Sequence, residues 1–223
     1  MDITPELLLH AYSVGVFPMA ESRDAAGMHW MQPARRGVFD LNRFHISRSL
    51  RKRILQGGYQ VAVNRDFAGT VAGCAARDET WINAQIFDLY GQLHAMGHAH
   101  SVEVYHDDAL IGGVYGVAIG GAFFGESMFS TQTDASKIAL AYLVHRLRAG
   151  GFVLFDTQYL TPHLASLGAV EIARAQYELR LAQALPITAS FTPASYCPSP
   201  SSVVAPSAGA SPSGNASTAG KFS

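Results

Sequence analysis

Residues 109–129, ALIGGVYGVAIGGAFFGESMF, decide the fold. The stretch is long, apolar and rich in glycine, and it reads as two adjacent strands of a meander, with glycines marking turns, bulges or close backbone approach. Working outward, HSVEVYH (100–106) alternates like a strand and Asp107-Asp108 forms a turn before the meander. Further upstream, Asn83–Met96 carries Ile86, Tyr90 and Leu93 at helical spacing. Asp66 is placed to cap a helix running to about Ala76, and Tyr59–Asn64 reads as a strand. Downstream of the meander, Asp134–Arg148 is a helix with Asp134 as its expected cap, ended by Gly150-Gly151. FVLFDTQ (152–158) is a buried strand running into a polar tip. A short helix follows from Thr161-Pro162 to Gly168, and another covers 174–185. At the front of the chain, Thr4-Pro5 opens a short helix that Gly15 stops. This order of elements predicts an α/β or α+β domain with a mixed sheet, not a repeating doubly wound pattern.

The chain has 223 residues, 48% of them apolar, enough to bury a core. A formal net charge of −1, from 16 basic and 17 acidic residues, argues against a binder that works by bulk positive charge, while a local basic stripe would still suffice for nucleic acid. Cys74 and Cys197 do not form a disulfide framework, which suits a reducing compartment. Asp2 stands where a secretory signal would be basic, and no apolar run approaches the ~20 residues of a spanning helix. A soluble cytoplasmic protein is expected. From Pro186 the composition turns to Ser, Pro, Ala and Thr, so residues 186–223 are expected to be a disordered tail.

One stretch is biased in charge. Residues 35–53 carry Arg35, Arg36, Arg43, Arg48, Arg51, Lys52 and Arg53 against Asp40 alone. They read either as a solvated face or as a strip contacting phosphates. Three polar clusters also interrupt the apolar pattern: Gly125–Ser130, Asp134–Lys137 and Asp156–Gln158. Glu126 sits in an apolar run and needs a partner if buried, for which Lys137 is the nearest cation. Asp156 and Gln158 are two apart at the end of a strand and are expected to share a side. Common catalytic templates fail: there is no G-x-S-x-G and no P-loop motif. His94, His98 and His100 lack further ligands at zinc spacing, and Cys74 reads as core. No metal is expected.

Read together, these segments resemble the leucyl/phenylalanyl-tRNA–protein transferase family from about Leu9 to Leu185. The matching stretches begin with Ala11-Tyr12, Gly15–Pro18 and Phe44–Ser49. They continue through Thr80–Ile82, Leu93-His94 with Gly97, and Ala99–Glu103. The strongest block runs from Gly112–Gly116 through Gly125–Ser130 to Ala135–Lys137, followed by Asp156-x-Gln158 and Ser166–Ala169. Departures include a start close to the first family helix and a degraded tryptophan-rich stretch at His29–Arg35. Met19 stands where an aromatic can occur, and Val114 where a larger apolar residue can. The resemblance implies a small N-terminal domain (1–36) packed on a GNAT-like acyltransferase domain (37–185). It also implies no cofactor.

The implied reaction moves Leu, Phe or Met from aminoacyl-tRNA to the N-terminal Arg or Lys of a protein, marking it for degradation, in a monomeric enzyme. An aminoacyl ester is already activated, and an α-amine has a reference pKa of about 7.7–8.0, so orientation can replace a strong base or a covalent nucleophile. In this scheme Asp156 orients the attacking amine, directly or through Gln158. Gln158 can donate to the developing oxyanion, and Glu126 organises the pocket or meets the cationic acceptor residue. By resemblance, Trp81 and Tyr90 lie beside the terminal adenosine, and Val114, Phe123 and Leu143 wall the side-chain pocket. Ser127 joins the substrate contacts, and the strip 35–53 holds the acceptor stem. The competing readings are a coenzyme A-dependent acyltransferase, against which the acid at Asp134 replaces a Gly-rich phosphate loop, and a non-catalytic tRNA-binding module.

Overall fold

The computed structural model describes residues 3–194 and 196–206. Helix α1 (Pro5–Ser13) begins where Thr4 Oγ1 accepts from the Leu7 amide at 3.2 Å, the cap anticipated for Thr-Pro. Two short paired strands follow, β1 (Phe17–Met19) and β2 (His29–Met31). Next come β3 (Arg35–Phe39), α2 (Arg48–Gln56) and β4 (Gln60–Val63). Asp66 caps α3 (Phe67–Ala75) and Asn83 caps α4 (Ala84–Ala95), each through its side-chain oxygen.

The meander is β5 (Ala99–His106), β6 (Ala109–Ile119) and β7 (Ala122–Ser130). Asp107 and Asp108 both take positive φ, 48° and 61°, the left-handed pair a tight two-residue hairpin needs. The second turn uses Gly120 at φ 56°. Any side chain there would meet the Leu185 carbonyl oxygen at 2.1 Å, so glycine is obligatory. Helix α5 (Ala135–Ala149) then leads to β8 (Leu154–Gln158), α6 (Pro162–Ser166), β9 (Ala169–Ala173), α7 (Arg174–Ala184) and α8 (Pro200–Val203).

The main sheet has seven strands in the order β4-β5-β6-β7-β8-β3-β9. All neighbours are antiparallel except β7 and β8, which run parallel. The expected mixed α/β architecture is therefore present. Two strands of this main sheet were not anticipated, β9 and β3 at the front of the basic stretch, and neither was the small β1–β2 pair. Helices α2, α5 and α8 cover one face, burying Leu50, Ile54, Ile138, Leu143 and Val203. Helices α1, α3, α4 and α7 cover the other, burying Leu8, Val71, Ile86 and Tyr177.

The expectation of disorder from Pro186 is corrected over the described part of the tail. Phe191 is buried, stacked on His100 at 4.3 Å and on Phe123 at 5.4 Å between ring centroids. Val203 and Val204 complete the same core. A few apolar residues spaced through a Ser/Pro-rich segment suffice once a groove receives them. The rest of the tail, 207–223, lies outside the described residues.

Candidate active site

The site forms where the sheet opens. Strands β7 and β8 pair only over Ala122–Phe124 and Leu154–Asp156, after which β7 runs on to Ser130. At that opening each strand carries an irregularity. Opposite Tyr115 and Gly116, β7 has Ser127 and Gly125 as partners, leaving Glu126 as the extra residue of a bulge. Opposite Gly37 and Val38, β8 has Gln158 and Asp156, leaving Thr157 extra. Bulges re-aim side chains, and here both lie among the polar residues singled out in the sequence.

Glu126, Asp156 and Gln158 come together. Gln158 Nε2 donates to Glu126 Oε1 at 2.9 Å, and the Gln158 backbone N–H donates to Asp156 Oδ1 at 2.8 Å. Gln158 adopts φ 61°, so the chain turns back on itself rather than continuing regular strand alternation. Tyr90 donates its hydroxyl to Glu126 Oε2 at 2.7 Å and is itself hydrogen-bonded to the Tyr12 hydroxyl. Glu126 is 8% exposed. Burial pushes its carboxyl up to about 7, and the Asp156 charge adds to this against the favourable bonds from Tyr12, Tyr90 and Gln158. The expected partner Lys137 is not there: it binds Asp134 at 2.9 Å, and Asp134, in the left-handed region, makes no side-chain cap bond to α5. Tyrosine hydroxyls and an amide satisfy Glu126 in place of a cation.

Asp156 is fully buried, and its two oxygens are occupied. Arg36 forks onto it, Nε to Oδ1 at 2.9 Å and Nη2 to Oδ2 at 2.6 Å, and the Tyr177 hydroxyl donates to Oδ2 at 2.8 Å. Burial works against the Arg36 cation, but Asp156, together with Tyr177 and Glu126, more than offsets it. Direct contact between Asp156 and a substrate amine is thus closed by geometry, which leaves the route through Gln158. Arg36 corrects the reading of the basic stretch. It is 2% exposed, packs between the Phe17 and Tyr177 rings and is no surface phosphate contact. Arg35 pairs with Glu171 at 2.9 Å. Arg51 donates to the Val204 carbonyl at 2.6 Å and Arg53 to the Gly57 carbonyl at 2.5 Å, while Arg43, Arg48 and Lys52 are exposed.

Above the Gln158–Glu126 bond lies a cleft of about 370 Å³. Of the anticipated substrate contacts, Trp81, Val114 and Ser127 line it, with Met19 at its edge. Three others do not. Tyr90 is fully buried and is committed to Glu126 through its hydroxyl, so it offers no face to a base. Phe123 lies in the aromatic core between Phe152, Phe155 and Phe191, and Phe155 reaches the cleft instead. Leu143 is interior, and Leu140, one turn earlier on α5, forms the wall. Helical side chains one turn apart share a face but not a depth. Sequence reading also missed Arg77 and His163, which line both this cleft and an adjoining cavity of about 500 Å³. A larger cavity of about 790 Å³ is lined by Arg148 and Arg180, with none of the three central residues in its walls.

Other candidates are structural. Burial pushes the Cys74 thiol up to about 12, which removes it as a nucleophile. His94 stacks on Phe67 at 4.3 Å. Among the described residues no group of three or more His, Cys, Asp or Glu is placed to hold a metal, and no helix is long and apolar enough to cross a membrane.

Comparison with known proteins gives this geometry a family. The family model described as leucyl/phenylalanyl-tRNA protein transferase matches residues 38–182, and the model of that family's N-terminal domain matches 1–34. A leucyl/phenylalanyl-tRNA–protein transferase of Cereibacter sphaeroides is 65% identical over 202 residues, covering 91% of this chain and 94% of the relative. One of Ruegeria sp. is 65% identical over 185 residues, covering 83% and 88%. Among solved structures, FemX shares the fold with a TM-score of 0.50 at 12% identity, over 74% of this chain and 66% of that one. A tandem GNAT protein from the clavulanic acid biosynthesis pathway matches at 0.37 and 15%, over 78% and 60%. This chain belongs to the leucyl/phenylalanyl-tRNA–protein transferase family.

Proposed function

We propose that this enzyme transfers Leu, Phe or Met from aminoacyl-tRNA to the α-amine of a protein beginning with Arg or Lys, a cytoplasmic reaction that marks the acceptor for degradation. One observation carries the reading: Gln158, at the floor of a largely apolar cleft, is held between two buried carboxylates, its side-chain amide donating to Glu126 and its backbone N–H to Asp156. Ionised Glu126 can only accept, so the Gln158 amide presents its nitrogen there and keeps its carbonyl oxygen for the cleft. That oxygen accepts a hydrogen bond from the attacking amine. The amine nitrogen bonds to the ester carbonyl carbon and the bond from that carbon to the ribose oxygen breaks. The amine proton leaves with the departing oxygen, yielding a peptide bond and free tRNA.

Orientation supports such a step without a covalent intermediate, since well-aligned partners gain up to roughly 7–11 kcal/mol. Val114, Leu140, Phe155 and Leu164 form an apolar wall suited to Leu, Phe or Met side chains. Trp81 offers an aromatic face for the terminal adenosine. Arg43, Arg48 and Lys52 give the acceptor stem exposed charge on the side of α2 and α5. The protein acts as a monomer in this scheme.

The test is transfer of labelled Leu from Leu-tRNA to peptides that begin with Arg, Lys or Ala. Arg and Lys peptides are expected to be labelled and the Ala peptide not. Equal labelling of all three would remove the acceptor assignment, and no labelling would remove the reaction.

A further inference from the structure

Arg36 lies at a junction that the reaction scheme does not use. Its guanidinium is sandwiched between the Phe17 ring at 4.6 Å and the Tyr177 ring at 4.3 Å. It forks onto Asp156 and also donates from Nη1 to the Gly15 carbonyl at 2.9 Å. Two limbs run from it to the cleft. One passes through Asp156 Oδ1 to the backbone N–H of Gln158. The other passes through the turn that ends α1, the helix that carries Tyr12, and then through Tyr12 and Tyr90 to Glu126. The limbs meet at the Gln158–Glu126 hydrogen bond.

Gln158 needs such support. A non-glycine residue at φ 61° is strained and persists only where its surroundings hold it. Asp156 supplies that hold through its acceptor bond, and Asp156 is itself fixed by the planar Arg36 fork. A buried ion pair is no efficient stabiliser, since apolar residues of similar volume often do as well. Here the carboxylate's remaining capacity goes to the one residue whose amide faces the substrate.

We infer that Arg36 is a positioning residue for the transfer reaction: acting through Asp156, it holds Gln158 in the backbone conformation that aims its amide into the cleft. This deepens the reading given under Proposed function and rests on it. Lysine cannot replace Arg36, because a single ammonium cannot reproduce the fork or the two-sided ring stacking.

The experiment measures kcat and KM for Leu-tRNA in the full chain carrying Arg36→Lys, Asp156→Asn, both together, or Tyr177→Phe. Arg36→Lys is expected to lower kcat by about 10²-fold, the scale of an ångström of misplacement, with KM changed less than about 2-fold. The double variant is expected to match Asp156→Asn alone, because both changes act on one chain of contacts. Tyr177→Phe keeps the ring under Arg36 and removes one bond to Asp156, so it tests the same link with the apolar packing retained; it is expected to lower kcat at unchanged KM. A raised KM with kcat intact would show that Arg36 contacts tRNA and overturn the inference. Losses that multiply in the double variant, or an unchanged kcat in Tyr177→Phe, would overturn it too. A wild-type chain that transfers nothing overturns the functional reading along with it, whereas an active wild type with any of these results overturns the positioning role alone.

Discussion

Glu126→Gln tests the electrostatics of the site most directly. The carboxyl is 8% exposed and raised from an ordinary 4.5 to about 7, mainly by burial. At 1.36 kcal/mol per pKa unit that gap corresponds to about 3 kcal/mol. The folded-state value is the higher one, so the unfolded chain ionises first as pH rises. The wild type therefore loses stability between about pH 4.5 and 7, relative to a variant that cannot ionise. Glutamine fits the contacts: its oxygen can accept from Gln158, and its nitrogen can donate to Tyr90, whose hydroxyl reverses toward Tyr12. At pH 5 the two proteins should melt within a degree or two of each other after any constant offset. By pH 8 the variant should gain about 6–12 °C, from roughly 2–4 °C per kcal/mol for a domain of this size. Differential scanning calorimetry across that range measures it, and the other titrating groups largely cancel in the difference. A melting difference that stays flat from pH 5 to 8 would refute the claim that Glu126 is ionised at a desolvation cost.

Three further outcomes are expected. Phe191→Ala should lower stability by about 3–5 kcal/mol, the usual cost of truncating a buried ring, and a denaturant midpoint that does not move would mean the tail is not packed. Val114→Leu narrows the cleft and should shift competition between Leu-tRNA and Phe-tRNA toward Leu by about 10-fold, within the ~1–3 kcal/mol a methylene discriminates. Arg48→Gln with Lys52→Gln should make tRNA affinity less salt-dependent, reducing the log–log slope by about 1 per lost phosphate contact, whereas Arg36→Lys should leave that slope unchanged.

Much of this was legible in the residues. The alternation of 100–106, the glycine-marked meander, the helix capped by Asp66 and the apolar-striped helix from Asn83 are local patterns with local causes, and all of them form. Glu126, Asp156 and Gln158 stood out because charged and amide groups inside apolar runs are costly without a purpose. Strand β3 was hidden because Arg35 and Arg36 open it, and a basic pair reads as surface until a buried carboxylate claims one of them. The signal available was Asp156 itself, a buried acid with no named cation. Phe191, Val203 and Val204 were hidden by their Ser- and Pro-rich surroundings, since average composition does not register a few anchors.

By itself, then, the order of residues determined most of the elements, the mixed character of the sheet and which polar groups were out of place, because these depend on periodicity, capping and the cost of burying charge. Only the tertiary structure decided who partners whom: Arg36 and not Lys137 as the cation of the site, Leu140 and Phe155 rather than Leu143 and Phe123 as its walls, Tyr90 as a hydrogen-bond donor and not a stacking face. The physical reason is that pairing across 120 residues, as between Arg36 and Asp156, depends on strand order and on two bulges, and neither leaves a periodic trace in the chain.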